Sequence, residues 1–228
     1  MKIVFKGVSK SFGSVVALED VSFKIDKGEF VFLTGASGMG KTTVFKIITG
    51  QLAPNEGTVQ VDNWLVFDGQ KRLGGKELLT LRRKVGLIYQ DFQLIEEYTV
   101  QENVGLALDI LCVNGKDCPR QIDKALKKVG LADRKKAFPR QLSGGELQCL
   151  SLARALSIKP LILLADEPTG NLDPESSWQL IHLLDKINKE GTTVVMATHN
   201  FDIVNSFQKR VIKLVKGKVI SDKKKGKY

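Results

Sequence analysis

No stretch of this sequence approaches the 18 or so consecutive apolar residues that a membrane-spanning helix needs. The opening MKIVFKGVSK also lacks the apolar centre of a secretory signal. Both absences predict a cytosolic protein. Cysteine is scarce: Cys112, Cys118 and Cys149 form an odd set without metal-ligand spacing. Free thiols in a reducing compartment are the expectation. Of the two histidines, His182 falls in no motif. Internal repeats are missing, and the lysine-rich end is the one biased segment.

What is present is ordinary for a globular protein: 43% hydrophobic and 26% charged residues. A length of 228 residues suits one large domain carrying an inserted lobe. The net charge of +10 is unevenly placed. Between Lys209 and Tyr228 stand nine basic residues and a single acid, Asp222, so that end carries eight of the ten excess charges. The body is nearly neutral, which argues against a specific nucleic-acid partner. A polybasic tail at about 221–228 without interleaved aromatics suits an anionic membrane surface, at about 1 kcal/mol per charge. It equally suits a solvated end that aids solubility.

Strand-like segments recur as VSFKI (21–25), FVFLT (30–34), VGLIY (85–89), LILLA (161–165) and TVVMA (193–197). The last three are apolar on both faces, which predicts a parallel sheet covered on both sides. Between them, KTTVFKIIT reads as a helix closed by Gly50. PRQIDKALKKVG begins with Pro119 and sets Ile122, Leu126 and Val129 on one helical face. The stretch from about 91 to 159 has helical patterns and little strand signal. The fold class is therefore α/β, with a core at about 1–90 and 160–220 and a helical lobe inserted at about 91–159.

LILLADEPTG, residues 161–170, ends a buried strand with two carboxylates, Asp166 and Glu167. Buried charge is costly unless it is paired or binds metal. A second motif supplies the reason. GASGMGKTT at 35–43 matches G-x-x-x-x-G-K-[ST] between a strand and a helix, with Gly35, Gly40, Lys41 and Thr42 in register. The backbone of Gly35, Ala36, Ser37, Gly38, Met39 and Gly40 would cradle phosphate oxygens, and the start of the following helix, with Thr43, adds positive potential. Lys41 would reach the β- and γ-phosphates and the Thr42 hydroxyl would bind Mg²⁺. Met39 is larger than the small residue that such a loop leads one to expect. Asp166 then serves the metal, and Glu167 is left to polarise an attacking water. Pro168 predicts extended geometry at Glu167, and adjacent side chains on a strand point to opposite faces.

QLSGGELQCLSLARAL, from Gln141, carries the capping box Ser143-x-x-Glu146 at the start of an amphipathic helix. Gly144 and Gly145 in its first turn cost on the order of 1 kcal/mol each relative to alanine, and a cap gives no reason for them. Uncrowded N–H groups at a helix start make a second anion site. One chain thus carries a phosphate cradle and a separate phosphate clamp.

On these motifs and their order the sequence resembles the ATP-binding cassette (ABC) ATPases over essentially its whole length. The resemblance implies a RecA-like P-loop core with an antiparallel β subdomain and an inserted helical subdomain, ATP as substrate and Mg²⁺ as cofactor. It implies that Phe12 in SKSFGS stacks on adenine and that Gln90 in LIYQDF senses Mg²⁺ and the attacking water. LSGGE at 142–146 matches the signature motif, LLADEP the metal-and-base strand, and NLD at 171–173, with Asp173, a loop contacting a partner subunit. His199 in MATHN matches the histidine that holds the γ-phosphate. Cys149 departs from the pattern, where arginine is usual.

The resemblance further implies an ATP-bound homodimer, in which the cradle of one subunit is clamped by Ser143 and Gly145 of the other. Without a span of its own, such a chain would act with an integral membrane subunit, as a peripheral protein on the inner face of the cell membrane. That subunit's cytosolic helix would dock near 91–104. LRRKVGLIYQDFQLI, KVGLADRKKAFPRQLSGGE and ADEPTGNLD resemble the family's cell-division branch, which controls cell-wall hydrolysis. The ATPases of lipoprotein release and macrolide export are a neighbouring alternative, and a nucleic-acid-associated ABC ATPase a more distant one.

Overall fold

The computed structural model describes residues 1–111 and 117–226. Cys112 lies outside the described residues. Strands β1 (Ile3–Phe12), β2 (Val15–Ile25), β4 (Glu56–Val61) and β5 (Trp64–Phe67) form an antiparallel sheet in the order β2-β1-β4-β5. A second sheet has the order β10-β9-β3-β8-β7-β6, from β3 (Phe30–Thr34), β6 (Val85–Ile88), β7 (Ile162–Asp166), β8 (Thr193–Thr198), β9 (Arg210–Val215) and β10 (Lys218–Lys223). Its strands β6, β7, β8, β3 and β9 run parallel, and β10 closes the edge antiparallel to β9.

The unbroken apolar strands have the predicted cause. Val31 and Leu33 of β3, Ile162 and Leu164 of β7, and Val195 and Ala197 of β8 enter one core cluster. Their neighbours Phe30, Phe32, Leu163, Ala165, Val194 and Met196 enter another on the opposite face. The first cluster packs the antiparallel sheet and helix α1 (Lys41–Ile48) onto the parallel sheet. The second takes α3 (Val100–Ile110), α4 (Cys118–Lys128), α5 (Gly144–Ser157), α6 (Pro174–Lys189) and α7 (Phe201–Phe207), following α2 (Gly75–Arg82) in chain order. Helices α3 to α5 lie between β6 and β7 in sequence. They contribute Val100, Val104, Leu126 and Leu150 to the sheet's own cluster.

The reading of a polybasic tail from 221 needs correction. Ser221, Asp222 and Lys223 belong to β10 and pair with Lys213, Ile212 and Val211 of β9. Arg210 grips Asp222 with Nε–Oδ1 at 2.8 Å and Nη2–Oδ2 at 2.7 Å, and reaches Glu29 with Nη1 at 2.8 Å. Lys209 pairs with Asp185 and Lys218 with Glu19, each at 2.7 Å. The run as far as Lys223 is therefore a β-hairpin in which Lys209, Arg210 and Lys218 are paired with acids.

Candidate active site

The loop between β3 and α1 is shaped by glycines where side chains do not fit. Gly40 has φ +97°, and a Cβ there would sit 2.5 Å from Ala17 O. Gly35 meets the same limit against Leu214 O, also at 2.5 Å. The loop is thus pressed between β2 and β9. Helix α1 has no side-chain cap and no acid in its first turn. Its free N–H groups and dipole are open to an anion. The bulk of Met39 is accommodated: its side chain packs on the first core cluster, and its Sδ accepts from Lys216 N at 3.0 Å.

Lys41 is only 5% exposed, and its Nζ donates to Gly35 O at 2.6 Å and Ala36 O at 3.0 Å. It also forms an ion pair with Glu167 Oε1 at 3.1 Å. Glu167 Oε2 in turn meets His199 Nδ1 at 2.9 Å. One carboxylate therefore bridges the lysine of the cradle and the exposed histidine after β8.

The predicted extended geometry at Glu167 is wrong. Its φ is +46°, in the left-handed region. Its N–H donates to Ala197 O and its carbonyl accepts from Gly170 N, both at 3.0 Å. These bonds turn the chain at the end of β7, and the turn rather than strand alternation aims Glu167 across the cradle. Left-handed geometry in a residue with a side chain costs on the order of 1–3 kcal/mol. Pro168 restricts Glu167 from the right-handed helical region but does not decide between the two remaining choices.

Asp166 is hydrogen-bonded by the Thr42 hydroxyl, while its Oδ1 is buried without a hydrogen-bond partner. Burial, reinforced by the Glu167 charge, raises its pKa above the ordinary carboxylate value, and the Thr42 bond opposes that shift. An orphaned carboxylate oxygen beside a hydroxyl, at the edge of a phosphate cradle, suits a hard oxygen-seeking cation. Gln90 and Asp91 line the same cavity of about 410 Å³ as Ser37, Lys41, Thr42, Asp166 and Glu167. The Gln90 side chain packs on Gly170, where a Cβ would stand 2.9 Å from its Nε2. Phe12 lies at the end of β1, 51% exposed, with Lys10 Nζ 5.3 Å from its ring centre.

Ser143 and Gly145 line a different groove, with Glu146, Cys149 and Ser176. The capping box forms: Ser143 Oγ accepts from Glu146 N at 3.3 Å, and Glu146 Oε2 accepts from Ser143 N at 2.8 Å. Gly145 also has a packing reason, since a Cβ there would meet Ser176 Oγ at 2.9 Å. Gly144 faces Asn171 O at a comfortable 3.5 Å. Asp173 caps α6 by accepting from Ser176 N at 2.9 Å, and the Ser176 hydroxyl, followed by that N–H, lowers its pKa. Cradle and clamp residues therefore stand in separate places on one chain. His182 packs with tilted rings against Trp178 and Phe207, outside both. Sequence reading missed Arg154 and Asn171, which hold the Gln90 loop through its backbone.

Comparison with known proteins places these features in context. A family model described as ABC transporter matches residues 18–170. The chain is 42% identical over 230 residues to the cell division ATP-binding protein FtsE of Mycobacterium tuberculosis, covering all of this chain and 98% of that protein. It is 43% identical to FtsE of Escherichia coli over 94% of this chain and 96% of that protein. Among solved structures, a dimeric ATP-binding cassette in a post-hydrolysis state bound to ADP and Pi superposes with a TM-score of 0.86 at 36% identity. That match covers 99% of this chain and all of the other.

Proposed function

The chain belongs to the ABC transporter family, and we propose that it is the ATP-hydrolysing subunit of a bacterial cell-division complex with an FtsX-like integral membrane subunit. The observation that supports this most is full-length likeness to FtsE proteins from distant bacteria. Among the described residues no helix is long and apolar enough to cross a membrane. In the proposed complex the membrane part is a separate chain, and this subunit sits peripherally on the inner face of the cell membrane.

In this reading Lys41 and backbone N–H groups of the 35–43 loop bind the β- and γ-phosphates, and Phe12 stacks on the adenine. Thr42, Asp166 and Gln90 would hold Mg²⁺, which would neutralise charge developing on the phosphate oxygens. Glu167 accepts the proton of the attacking water and His199 orients the γ-phosphate. Because Ser143, Gly144 and Gly145 stand apart from the cradle, ATP is completed by the clamp of a second copy, and Asp173 lies on the loop facing it. Closing and reopening of that homodimer moves the membrane subunit. The division of the chain at about 91 and 159 separates the lobe that bears the clamp from the core that bears the cradle.

The test is recovery of partners from native membranes on ATP-loaded Glu167→Gln, identified by mass spectrometry. Recovery of an FtsX-like subunit with division or cell-wall factors supports the reading. A lipoprotein-release or export subunit keeps the ATPase and replaces the biology. Ribosomes or nucleic acid without a membrane protein refute it.

A further inference from the structure

The loop carrying Gln90 is held by its carbonyl oxygens. Arg154, ten residues into α5, donates from Nη1 to Gln93 O at 2.5 Å and from Nη2 to Phe92 O at 3.0 Å. Asn171 Nδ2, from the loop after Glu167, donates to Gln90 O at 3.0 Å. Fully buried Gln148 reaches Tyr89 O with Nε2 at 3.5 Å. Side chains from the clamp helix and from the segment after β7 thus grip the residues on both sides of Gln90.

The grip meets a loop that would not hold this shape unaided. Phe92 and Gln93 are consecutive left-handed residues, with φ of +58° and +48°. Such geometry persists only where the surroundings over-determine it. Arg154 is half-buried, and both of its guanidinium hydrogen bonds described above go to main-chain oxygens. Desolvation lowers its pKa, so the guanidinium spends its charge on two carbonyl dipoles. A surface arginine placed for solubility or helix propensity would not be desolvated in this way. The planar fork suits two oxygens on adjacent residues, whereas an ammonium is a point donor.

We propose that Arg154, together with Asn171, is a positioning residue for hydrolysis. The forked bonds to Phe92 O and Gln93 O, and the Asn171 bond to Gln90 O, fix the strained loop so that Gln90 lines the cavity it shares with Asp166 and Glu167. The proposal rests on the role given to Gln90 above. It makes the geometry at Gln90 depend on the position of the clamp helix within the same chain.

The experiment measures kcat and KM for ATP with saturating Mg²⁺ on the full chain. It compares wild type, Arg154→Lys, Asn171→Ala, Gln90→Ala, and each of the first two combined with Gln90→Ala. Displacements of about 1 Å at a reacting centre cost up to about 10²-fold in rate, so Arg154→Lys is expected to lower kcat about tenfold. KM should stay within about twofold, because Lys41 and the phosphate loop are untouched. In the Gln90→Ala background neither substitution should lower kcat further. An unchanged kcat, a rise in KM without loss of kcat, or an equal loss in the Gln90→Ala background overturns the proposal. If Arg154→Lys does not fold, exposed Asn171→Ala carries the same criteria. Wild-type turnover in Gln90→Ala alone would remove Gln90 from the machinery, a distinct failure that takes the proposal with it.

Discussion

Replacing Glu167 with glutamine separates two roles that one carboxylate holds. Glutamine keeps the size and can still hydrogen-bond His199, but it is a poor proton acceptor and cannot pair with Lys41. Loss of a positioned base lowers turnover by roughly 10²–10⁴-fold, which is about 3–5 kcal/mol at the transition state. The second effect follows from the resting geometry. Lys41 and Glu167 are 5% and 15% exposed and 3.1 Å apart. The gross attraction at an effective dielectric of 20 is about 5 kcal/mol. Much of it is offset by desolvation, and Lys41 keeps the carbonyls of Gly35 and Ala36 as partners. A net loss of about 1–2 kcal/mol is the expectation. For a chain of this length that lowers the nucleotide-free Tm by about 2–8 °C. Phosphate then binds a lysine that no carboxylate is holding, so ATP should bind about 5–30-fold more tightly to Glu167→Gln than to wild type. Calorimetric titration with ATP, thermal melts with and without nucleotide, and single-turnover hydrolysis measure the three quantities. Turnover within threefold of wild type would remove Glu167 as the base. Unchanged affinity and melting would show that the Lys41 pair contributes nothing to the resting state.

Lys41→Ala should abolish nucleotide binding or turnover, and wild-type ATP affinity in that variant would contradict the cradle. Asp166→Asn should raise the melting temperature of the nucleotide-free protein near neutral pH while removing Mg²⁺-dependent stabilisation by ATP. The sign follows from the raised pKa of Asp166. The folded state favours the protonated acid, so wild type gains stability as pH falls through the folded pKa toward the unfolded one and carries the full penalty above it. The advantage of asparagine should therefore grow with pH, and a gain largest at acid pH would refute the burial argument. Gly145→Ala should destabilise the chain by about 1–3 kcal/mol through overpacking against Ser176. Ser176→Gly should restore its urea midpoint but not its turnover. Recovery of both would leave Gly145 with packing alone.

Which parts of this molecule could be read from the sequence depends on how local their causes are. The strands at 30–34, 85–88, 162–166 and 193–198 were legible because both faces are covered and every residue is apolar or nearly so. The capping box at Ser143 and the phosphate loop are legible for the same reason, since their hydrogen bonds run between residues a few positions apart. Strand β1 was not, because register shifts between Phe5 and Val8, Val8 and Lys10, and Lys10 and Ser11 break its alternation. The lysine-rich end read as a tail because the acids that pair with it, Glu29, Asp185 and Glu19, lie far away in sequence. At the active site the motifs named the reacting groups, but the left-handed turn at Glu167 is set by Ala197 and Gly170, and nothing within the motif requires it. The bonds from Arg154 to Phe92 and Gln93 span more than sixty positions and follow from how α5 packs. Chemistry in this chain is thus encoded in short motifs, while the aim of each reacting group is encoded in contacts between motifs. Substitutions at the second kind of position should alter kcat without altering any residue that touches ATP.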